Sequence, residues 1–298
     1  MLSDGHRLDF GGLVIATGVQ PRRLPFGHDL AGVHVLRTID DALALRARLL
    51  SARTVVVAGA GFLGSEVAAV AREMGLAVTM VDPLSAPLVR QLGPLVAEKL
   101  VKLHGAHGVN LRNGRMIKRF ESAGGVVRGV DDGQTLEADA VLVAIGSEPA
   151  VGWLAGSGLD LSNGIVCDEF CQAADRIVAA GDVACWQHPD IGPIRVEHRL
   201  NAAAQGAAAA RTLMGERVPF APVPYVWTAQ YDCKIQAYGR TAGDLEFRIV
   251  AGDLQSERFA AFYGDGARVV GALTWNMPKL AVQLRNAIVT RSPWELAV

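Results

Sequence analysis

The most regular feature of the chain is an apolar run that ends at a cluster of glycines and is followed by a helical repeat. The run from Thr54 to Ala58 has the length of a buried strand, and apolar residues then recur at helical spacing from Leu63 to Met74. A second apolar run, Val78 to Val81, ends at Asp82. This pattern predicts a strand–helix–strand unit of the kind that builds parallel sheets.

Three glycines lie between the first strand and the helix, at the spacing G-x-G-x-x-G: Gly59, Gly61 and Gly64. The first makes a tight turn, the second lets a pyrophosphate approach the backbone, and the third lets the helix pack on the strand. The free N–H groups and the positive end of the helix dipole would then face the phosphates. The pattern predicts a dinucleotide site, and the alternative is a glycine-rich turn that holds no ligand.

Asp82 ends the second strand, at the place where a carboxylate that binds a ribose is expected, about 20 residues after the glycines. Such a carboxylate accepts from both adenosine hydroxyls and would repel a 2′-phosphate. No arginine follows directly, which favours NADH over NADPH, and Arg90 is the residue that could reverse this preference. The alternative is that Asp82 forms a turn at the end of the strand.

Further elements follow from periodicity and from helix start signals. Thr38 and Asp41 form a capping-box pattern at the start of one helix, and Pro94 opens another that runs to about His104. An alanine-rich helix is predicted from Asn201 to Met214. Beyond Val218 the pattern changes to that of an α+β module, with strands at Lys234 to Tyr238, Phe247 to Ala251, Arg258 to Tyr263 and Val269 to Thr274, and a helix at Lys279 to Asn286.

The composition of the 298 residues narrows the classes of function. Half of the residues are apolar and the formal net charge is −1, without a long basic run, so nucleic acid and anionic membranes are poor candidate partners. No apolar window is long enough for a spanning helix, which takes about 18 residues or more. The length favours two or three domains.

Four cysteines occur, and no pair has C-x-x-C spacing, which is typical of reduced thiols in a cytoplasmic protein. Cys167 and Cys171 are interpreted as unpaired thiols, so no metal site is predicted. His104 and His107 are interpreted as charges at the end of a helix or as loop residues, and not as ligands.

Two apolar strands end alike. Leu13 to Ala16 is followed by Thr17 and Gly18, and Ile177 to Ala180 is followed by Gly181 and Asp182. Ligands of doubly wound sheets bind at the carboxyl ends of strands, where glycine permits close approach and an aspartate can bind a hydroxyl. Either strand end alone could be an ordinary turn.

The order of these motifs resembles the FAD-dependent pyridine nucleotide reductases, and specifically the ferredoxin reductases that serve bacterial oxygenases and P450 systems. The resemblance covers essentially the whole chain, and its most specific segment is Val223 to Tyr231, which marks the small C-terminal domain of ferredoxin reductases. The other segments are Leu13 to Gly18, Leu36 to Thr38, Gly59 to Glu66, Ala180 to Val183 and Glu197 to Ala202.

The resemblance implies an α/β fold with a Rossmann-like NAD domain inserted in an FAD domain that is incomplete here, plus a small α+β C-terminal domain. The implied limits are 1–20 and 148–218 for the two FAD segments, 21–147 for the NAD domain and 219–298 for the C-terminal domain. The implied activity is electron transfer from NADH through FAD to a [2Fe–2S] ferredoxin, by an enzyme that is monomeric in its intact form.

The resemblance also implies roles for individual residues. Glu66 would face the nicotinamide carboxamide and Trp227 the flavin, and these two are the residues expected nearest the reacting rings. The family usually has Trp where this chain has Arg199, which changes the local flavin contacts. The cofactor-binding residues expected in total are Thr17, Gly18, Arg37, Gly59, Gly61, Phe62, Leu63, Gly64, Glu66, Asp82, Gly146, Gly181, Asp182, His198, Arg199 and Trp227.

Alternatives stay open for the two central residues and for the function. Glu66 could be a solvent-facing helix residue, and Trp227 a core or interface aromatic. The chain could also be a non-catalytic NAD-binding remnant, or a flavoprotein of the NADH oxidase or nitrite reductase type with another acceptor.

One expected part of the family pattern is not found in the sequence. The family has an earlier βαβ unit with its own G-x-G-x-x-G for the FAD pyrophosphate, whereas here twelve residues precede Leu13 and no second fingerprint occurs. The sequence therefore predicts an N-terminally truncated reductase, with weak FAD retention and poor solubility because a sheet edge is left uncovered.

Overall fold

The structure is a computed structural model that describes residues 4–123, 126–131 and 134–296. Two compact units divide the chain: Met1–Gln20 with Glu148–Tyr225, and Pro21–Ser147 with Val226–Val298. We call them the first and the second unit. The domain limits expected from the sequence stay a prediction.

The strands, in chain order, are β1 (Leu13–Ile15), β2 (Val19–Pro21), β3 (Val33–His34), β4 (Thr54–Ala58), β5 (Ala77–Asp82), β6 (Asn110–Asn113), β7 (Ile117–Ala123), β8 (Val126–Asp131), β9 (Gln134–Ala138), β10 (Ala140–Val143), β11 (Ser147–Pro149), β12 (Ile165–Cys167), β13 (Gln172–Ala174), β14 (Ile177–Ala179), β15 (Ala184–His188), β16 (Gly192–Ile194), β17 (Tyr225–Gln230), β18 (Cys233–Gly239), β19 (Glu246–Gly252), β20 (Phe259–Gly264) and β21 (Val269–Trp275). The helices are α1 (Ile39–Ser51), α2 (Phe62–Glu73), α3 (Val89–Leu92), α4 (Pro94–Ala106), α5 (Arg199–Leu213) and α6 (Ala281–Val289). None of the helices in these described ranges combines the length and the apolar character needed to cross a membrane.

The second unit contains a five-stranded parallel sheet in the order β3–β10–β4–β5–β6. The predicted unit β4–α2–β5 is confirmed, with Val56 of β4 paired to Thr79 of β5. Val55, Val56 and Val57 are all buried, because both faces of this central strand are covered. The uninterrupted apolar sequence of β4 is therefore that of a strand buried on both faces, and not the apolar–polar alternation of a strand with one face in solvent.

The capping box predicted at the start of α1 is confirmed. The Asp41 backbone N–H donates to Thr38 Oγ1 at 3.1 Å, and the Thr38 N–H donates to Asp41 Oδ2 at 2.8 Å. Two of the N–H groups that a helix start leaves unpaired are thereby satisfied.

A three-stranded antiparallel sheet, β7–β8–β9, follows the fourth helix. The sequence predicts a hairpin from Val126 to Val130 and Leu136 to Ala138, with a turn at Asp131, Asp132 and Gly133. The pairing of β8 with β9 is confirmed, with Val127 opposite Ala138. The turn predicted at Asp131, Asp132 and Gly133 lies in part outside the described residues. Strand β7 was not predicted.

The C-terminal segment of the second unit forms a five-stranded antiparallel sheet in the order β17–β18–β21–β20–β19. Ile235 and Leu273 on one face of this sheet share a core with Leu92 and Leu100 of the α3–α4 region. The Tyr263 hydroxyl also donates to the Leu92 carbonyl at 2.8 Å. The sheet and the α3–α4 region are thus parts of one compact unit.

The first unit is built on two small sheets, β1–β14–β13 and β12–β15–β16, with α5 packed beside them. Strands β1 and β14 are parallel, with Leu13 opposite Ile177. The core includes Trp186, which is fully buried and whose indole N–H donates to the Phe220 carbonyl at 2.9 Å. The alanine-rich helix predicted from Asn201 is confirmed as α5, whose start lies two residues earlier at Arg199.

Candidate functional site

The glycine turn after β4 is closed to side chains at two of its three glycines. Gly59 has a φ of +107°, and a Cβ there would overlap the Ala144 carbonyl oxygen. A Cβ on Gly64 would overlap the Gly59 carbonyl oxygen. Tight backbone packing therefore requires glycine at both positions, as the spacing predicts.

Gly61 differs from the other two glycines because its surroundings are open. No atom lies within 4 Å of a Cβ built there, and Gly61 is the N-cap of α2, where no side chain caps the helix. The first N–H groups of a helix have no partner within it, so those of Phe62 and Leu63 are available to a ligand. Leu63 is exposed and Phe62 is half-buried against the C-terminal core.

Asp82 is buried beside this turn, and both of its carboxylate oxygens accept backbone hydrogen bonds, one of them from the turn. Oδ2 accepts from the Ala60 N–H at 2.6 Å, and Oδ1 accepts from the Leu84 N–H at 2.7 Å. The second bond is the Asx turn of the alternative interpretation, so Asp82 does form a turn. Its role at a ribose stays a prediction, and Arg90 is exposed in α3.

Gly146 follows β10 at the same edge of the sheet as Gly59 follows β4. Val143 of β10 pairs with Ala58 of β4, and the Ala144 N–H donates to the Ala58 carbonyl at 2.7 Å. Gly146 itself has a φ of +102° and is exposed. The carboxyl ends of two neighbouring parallel strands thus bring Gly59 and Gly146 to one edge, where ligands of such sheets bind.

Glu66 is a half-buried residue of α2, and its carboxylate has a specific partner in the C-terminal sheet. The Thr228 hydroxyl donates to Glu66 Oε1 at 2.7 Å. Glu66 therefore has a tertiary partner, and its role at the nicotinamide stays a prediction. Thr228 was not singled out as a site residue from the sequence.

Behind Thr228 lies a further series of polar side chains, of which the sequence analysis named His104 but not Gln230. Gln230 Nε2 donates to Thr228 Oγ1 at 3.2 Å, and Gln230 Oε1 lies 2.9 Å from His104 Nε2. His104 is fully buried, and this burial lowers its pKa to about 4. The interpretation of His104 as a charge at a helix end is therefore wrong, whereas His107 is exposed at the helix C-cap.

Trp227 lies between Tyr225 and Thr228 on strand β17 and is half-buried. Successive strand residues point to opposite faces, so Trp227 and Thr228 cannot serve the same face. This alternation of side-chain direction along β17 is the sequence signal that could group Thr228 with Gln230, on the face opposite Trp227. The role of Trp227 at a flavin stays a prediction.

In the first unit, the two strand ends singled out from the sequence are neighbours. The Ala180 N–H donates to the Ile15 carbonyl at 3.0 Å, so the ends at Gly18 and Gly181 lie on adjacent parallel strands. Gly18 has a φ of +68° and Gly181 of +78°. Thr17 is exposed, and its hydroxyl donates to the Ala150 carbonyl at 3.0 Å.

Helix α5 begins beside these strand ends. His198 is its N-cap, with Nδ1 accepting from the Leu200 N–H at 3.3 Å, and Arg199 is exposed at the first turn. Burial lowers the pKa of His198, and the positive charge of Arg199 lowers it further. His198 also contacts the Tyr225 ring edge-on, at 5.7 Å between centroids.

The turn at Gly181 is held by a buried glutamine that the sequence analysis did not identify. Gln205 of α5 accepts from the Gly181 N–H through Oε1 at 2.9 Å. Asp182 next to it is half-buried, and its carbonyl accepts from Arg195 at 3.0 Å. Arg37 is exposed in the second unit, directly before α1, where its backbone N–H donates to Asp41.

Comparison with known proteins decides the family. Residues 2–207 match the family described as pyridine nucleotide-disulphide oxidoreductase, and residues 225–297 match the reductase C-terminal family. The chain belongs to the pyridine nucleotide-disulphide oxidoreductase family. It carries, in addition, the C-terminal module of the reductases.

Relatives within this oxidoreductase family are similar along nearly the whole chain. The chain is 36% identical to rhodocoxin reductase of Rhodococcus erythropolis over 98% of its own length and 69% of that protein. It is 39% identical to the ferredoxin–NAD(+) reductase component of the anthranilate 1,2-dioxygenase system of Burkholderia cepacia, over 93% of its own length and 69% of that protein. The crystal structure of the covalent putidaredoxin reductase–putidaredoxin complex matches with a TM-score of 0.91 and 33% identity, over 98% of this chain and 72% of that one.

These comparisons confirm the resemblance and the fold class predicted from the sequence: Rossmann-like parallel strands with a C-terminal antiparallel sheet. Members of this oxidoreductase family are pyridine nucleotide-dependent flavoproteins that use FAD and NAD(H). The residues present fit a dinucleotide at the second unit, because Gly61 alone leaves open space where a pyrophosphate must approach. They fit the flavin side of FAD at the first unit, where two glycine turns end adjacent strands.

Proposed function

We propose that this chain is an NADH:ferredoxin oxidoreductase that passes electrons from NADH through FAD to a [2Fe–2S] ferredoxin. The observation that carries the proposal is the glycine turn, closed at Gly59 and Gly64 and open at Gly61. It is supported by the names of relatives that are ferredoxin reductases over nearly the whole chain.

In this proposal the second unit binds NADH. The N–H groups of Phe62 and Leu63 donate to the pyrophosphate at the helix start. Asp82 accepts from the adenosine ribose with the lone pairs that its two backbone bonds leave, which disfavours a 2′-phosphate. Glu66 accepts from the nicotinamide carboxamide, and Gly146 lets the ring approach the sheet edge.

The first unit binds the flavin side of FAD. FAD, when bound, accepts two electrons together and releases them singly, which is the chemistry that joins a hydride donor to a one-electron acceptor. Gly18 and Gly181 allow the cofactor to approach the backbone, and Asp182 binds a ribityl hydroxyl. His198 and Arg199 line the flavin, while Trp227 and Arg37 are assigned to the same cofactor by the family resemblance alone.

No side chain has to gain or lose a proton in the hydride step, so the protein acts by alignment. Alignment of the nicotinamide with the flavin would supply a large part of the acceleration. We assign Glu66 and Trp227 to this positioning. The proposed location is the cytoplasm, supported by four cysteines that are all free thiols.

The experiment supplies the full chain with FAD and follows the visible absorption of a [2Fe–2S] ferredoxin during addition of NADH. Reduction of the ferredoxin that exceeds oxygen uptake is the expected result. Gly61→Ala should abolish NADH-dependent reduction, because its methyl group would occupy the space of the pyrophosphate. Gly152→Ala adds a methyl group in equally open space far along the chain and is the matched control.

Two outcomes would contradict the proposal and favour its alternatives. Binding of NADH without any bound flavin absorbance would identify a non-catalytic NAD-binding remnant. Bound flavin that is reduced by NADH but transfers its electrons only to oxygen would identify an oxidase with another acceptor.

A further inference from the structure

A row of hydrogen-bonded side chains, buried except at its Tyr231 end, connects the surface of helix α4 to the carboxylate of Glu66. It consists of Tyr231, His104, Gln230 and Thr228, all within the second unit. The relative exposures of His104, Gln230 and Thr228 are 0%, 1% and 0%, so water does not compete for their hydrogen bonds. We call this row the His104 chain.

The direction of every bond in the His104 chain is fixed by the chemistry of its ends. Glu66 as a carboxylate can only accept, so the Thr228 hydroxyl donates to it at 2.7 Å. The lone pairs of Thr228 Oγ1 then receive the amide N–H of Gln230 at 3.2 Å. Gln230 Oε1 is consequently the acceptor that faces His104.

An acceptor at Gln230 Oε1 fixes the tautomer of His104. Nε2 must carry the hydrogen, since it lies 2.9 Å from an oxygen that can only accept. Nδ1 is then a lone pair, and it accepts from the Tyr231 hydroxyl at 3.2 Å. All four donors therefore point toward Glu66, and aligned bonds of this kind polarise and strengthen one another.

The surface end of the chain is also held in place. The Tyr231 ring stacks on His107, with centroids 3.6 Å apart and planes within 8° of parallel. Tyr231 has a φ of +54°, directly after strand β17 ends at Gln230, which turns its side chain toward α4. The ionisable groups that face this end are His107, Arg72 and Glu73.

We propose that the His104 chain fixes the Glu66 carboxylate in the orientation that binds the nicotinamide carboxamide, which makes His104, Gln230 and Thr228 positioning residues for the cofactor. The inference rests on the proposed binding of NADH at α2. It assigns to the C-terminal module a part in NADH recognition, through Thr228, in addition to any contact made by Trp227.

Thr228→Val tests the chain at its last bond, because it removes the donor and keeps the shape of a β-branched strand residue. The measurement is the dissociation constant of NADH and that of ADP-ribose. ADP-ribose contains the adenosine, the pyrophosphate and the second ribose of NADH but lacks the nicotinamide. Loss of one hydrogen bond to a charged group should weaken NADH about tenfold and leave ADP-ribose unchanged. Thr228→Ser restores the donor and should restore the NADH affinity.

Thr274→Val is the matched control, since Thr274 is a buried threonine of the same sheet whose hydroxyl has no hydrogen-bond partner among the described residues. It should leave the affinities for both ligands unchanged. The positioning role would be contradicted if Thr228→Val weakened the affinities for NADH and ADP-ribose equally, or if it weakened neither.

The ¹⁵N chemical shifts of the His104 ring provide a readout that does not depend on any ligand. The shifts should show a protonated Nε2 and an unprotonated Nδ1 at neutral pH. The opposite tautomer would contradict the hydrogen-bond directions of the His104 chain. If the wild-type protein binds neither NADH nor ADP-ribose, the proposed function fails. The ¹⁵N shifts of the His104 ring still decide whether the hydrogen bonds of the His104 chain are formed.

Discussion

The Thr228 hydroxyl donates a hydrogen bond to Glu66 Oε1 across 162 positions of sequence. Glu66 belongs to the helix that begins at the glycine turn, and Thr228 to the first strand of the C-terminal sheet. A glutamate on an exposed helix would keep several rotamers, and immobilising such a side chain on binding costs about 0.5–1.5 kcal/mol. Glu66 has already lost much of this freedom, which favours ligand binding at its second oxygen.

Two alanine substitutions in the glycine turn should differ in their effect on stability. Gly59→Ala forces a methyl group onto the Ala144 carbonyl at a φ of +107°, so we expect a loss of more than about 2 kcal/mol in the free energy of unfolding. Gly61→Ala introduces no overlap and should leave the unfolding temperature within a degree or two of wild type, by the size of ordinary surface effects.

The binding of NADH should separate the same two variants in a second way. Gly61→Ala should be folded and unable to bind NADH in a fluorescence titration, because the methyl group points into the space assigned to the pyrophosphate. If Gly61→Ala keeps the wild-type affinity, the pyrophosphate does not lie at this turn.

Asp82 combines a structural and a recognition role, and Asp82→Ala should affect both. The buried Ala60 N–H and the partly buried Leu84 N–H lose their acceptor, at an expected cost of about 1–3 kcal/mol for the buried group before relaxation. The variant should bind NADH more weakly while losing its discrimination against NADPH. The measurement is the ratio of the two dissociation constants. A ratio equal to that of wild type would assign Asp82 to the turn alone.

Gln205 should control how well the first unit holds FAD. Gln205→Leu keeps a side chain of similar size but leaves the buried Gly181 N–H without its acceptor. We expect a lower unfolding temperature and a higher dissociation constant for FAD, measured by quenching of flavin fluorescence. Gln187→Leu, at an exposed position of β15, is the control and should change neither quantity.

The sequence was sufficient where structure depends on neighbours along the chain. The unit β4–α2–β5, the Thr38 capping box and most strands of the C-terminal sheet are set by periodicity, caps and turns, and they are found where predicted. The wrong interpretation of His104 has a different origin. Its environment is made by Gln230, which lies 126 positions away, and no local pattern carries that information.

The same reason explains the other missed residues. Thr228 and Gln205 contact Glu66 and Gly181 through tertiary packing, so their function is visible only once the strands and helices are assembled. Strand β7 was missed because charged residues interrupt its apolar positions, and its pairing with β8 supplies the stabilisation that its composition does not.

His104 should make the stability of the second unit depend on pH in the acidic range. Its pKa is about 4 in the folded protein because of burial, compared with about 6.5 in an unfolded chain. The unfolded state therefore binds the proton more readily, and folding stability decreases as the pH falls through the window from 6.5 to 4. The full effect is about 3 kcal/mol, since one unit of pKa difference corresponds to about 1.4 kcal/mol.

His104→Gln tests this linkage, because the amide retains a donor toward Gln230 and cannot be protonated. Denaturant unfolding at pH 7.5 and at pH 4.5 should show a smaller loss of stability in this variant than in wild type. His107→Gln removes the neighbouring exposed histidine and should follow the wild-type profile. Equal losses in wild type and His104→Gln would mean that the pKa of His104 is not lowered in the folded state, and the predicted pH linkage would then be wrong.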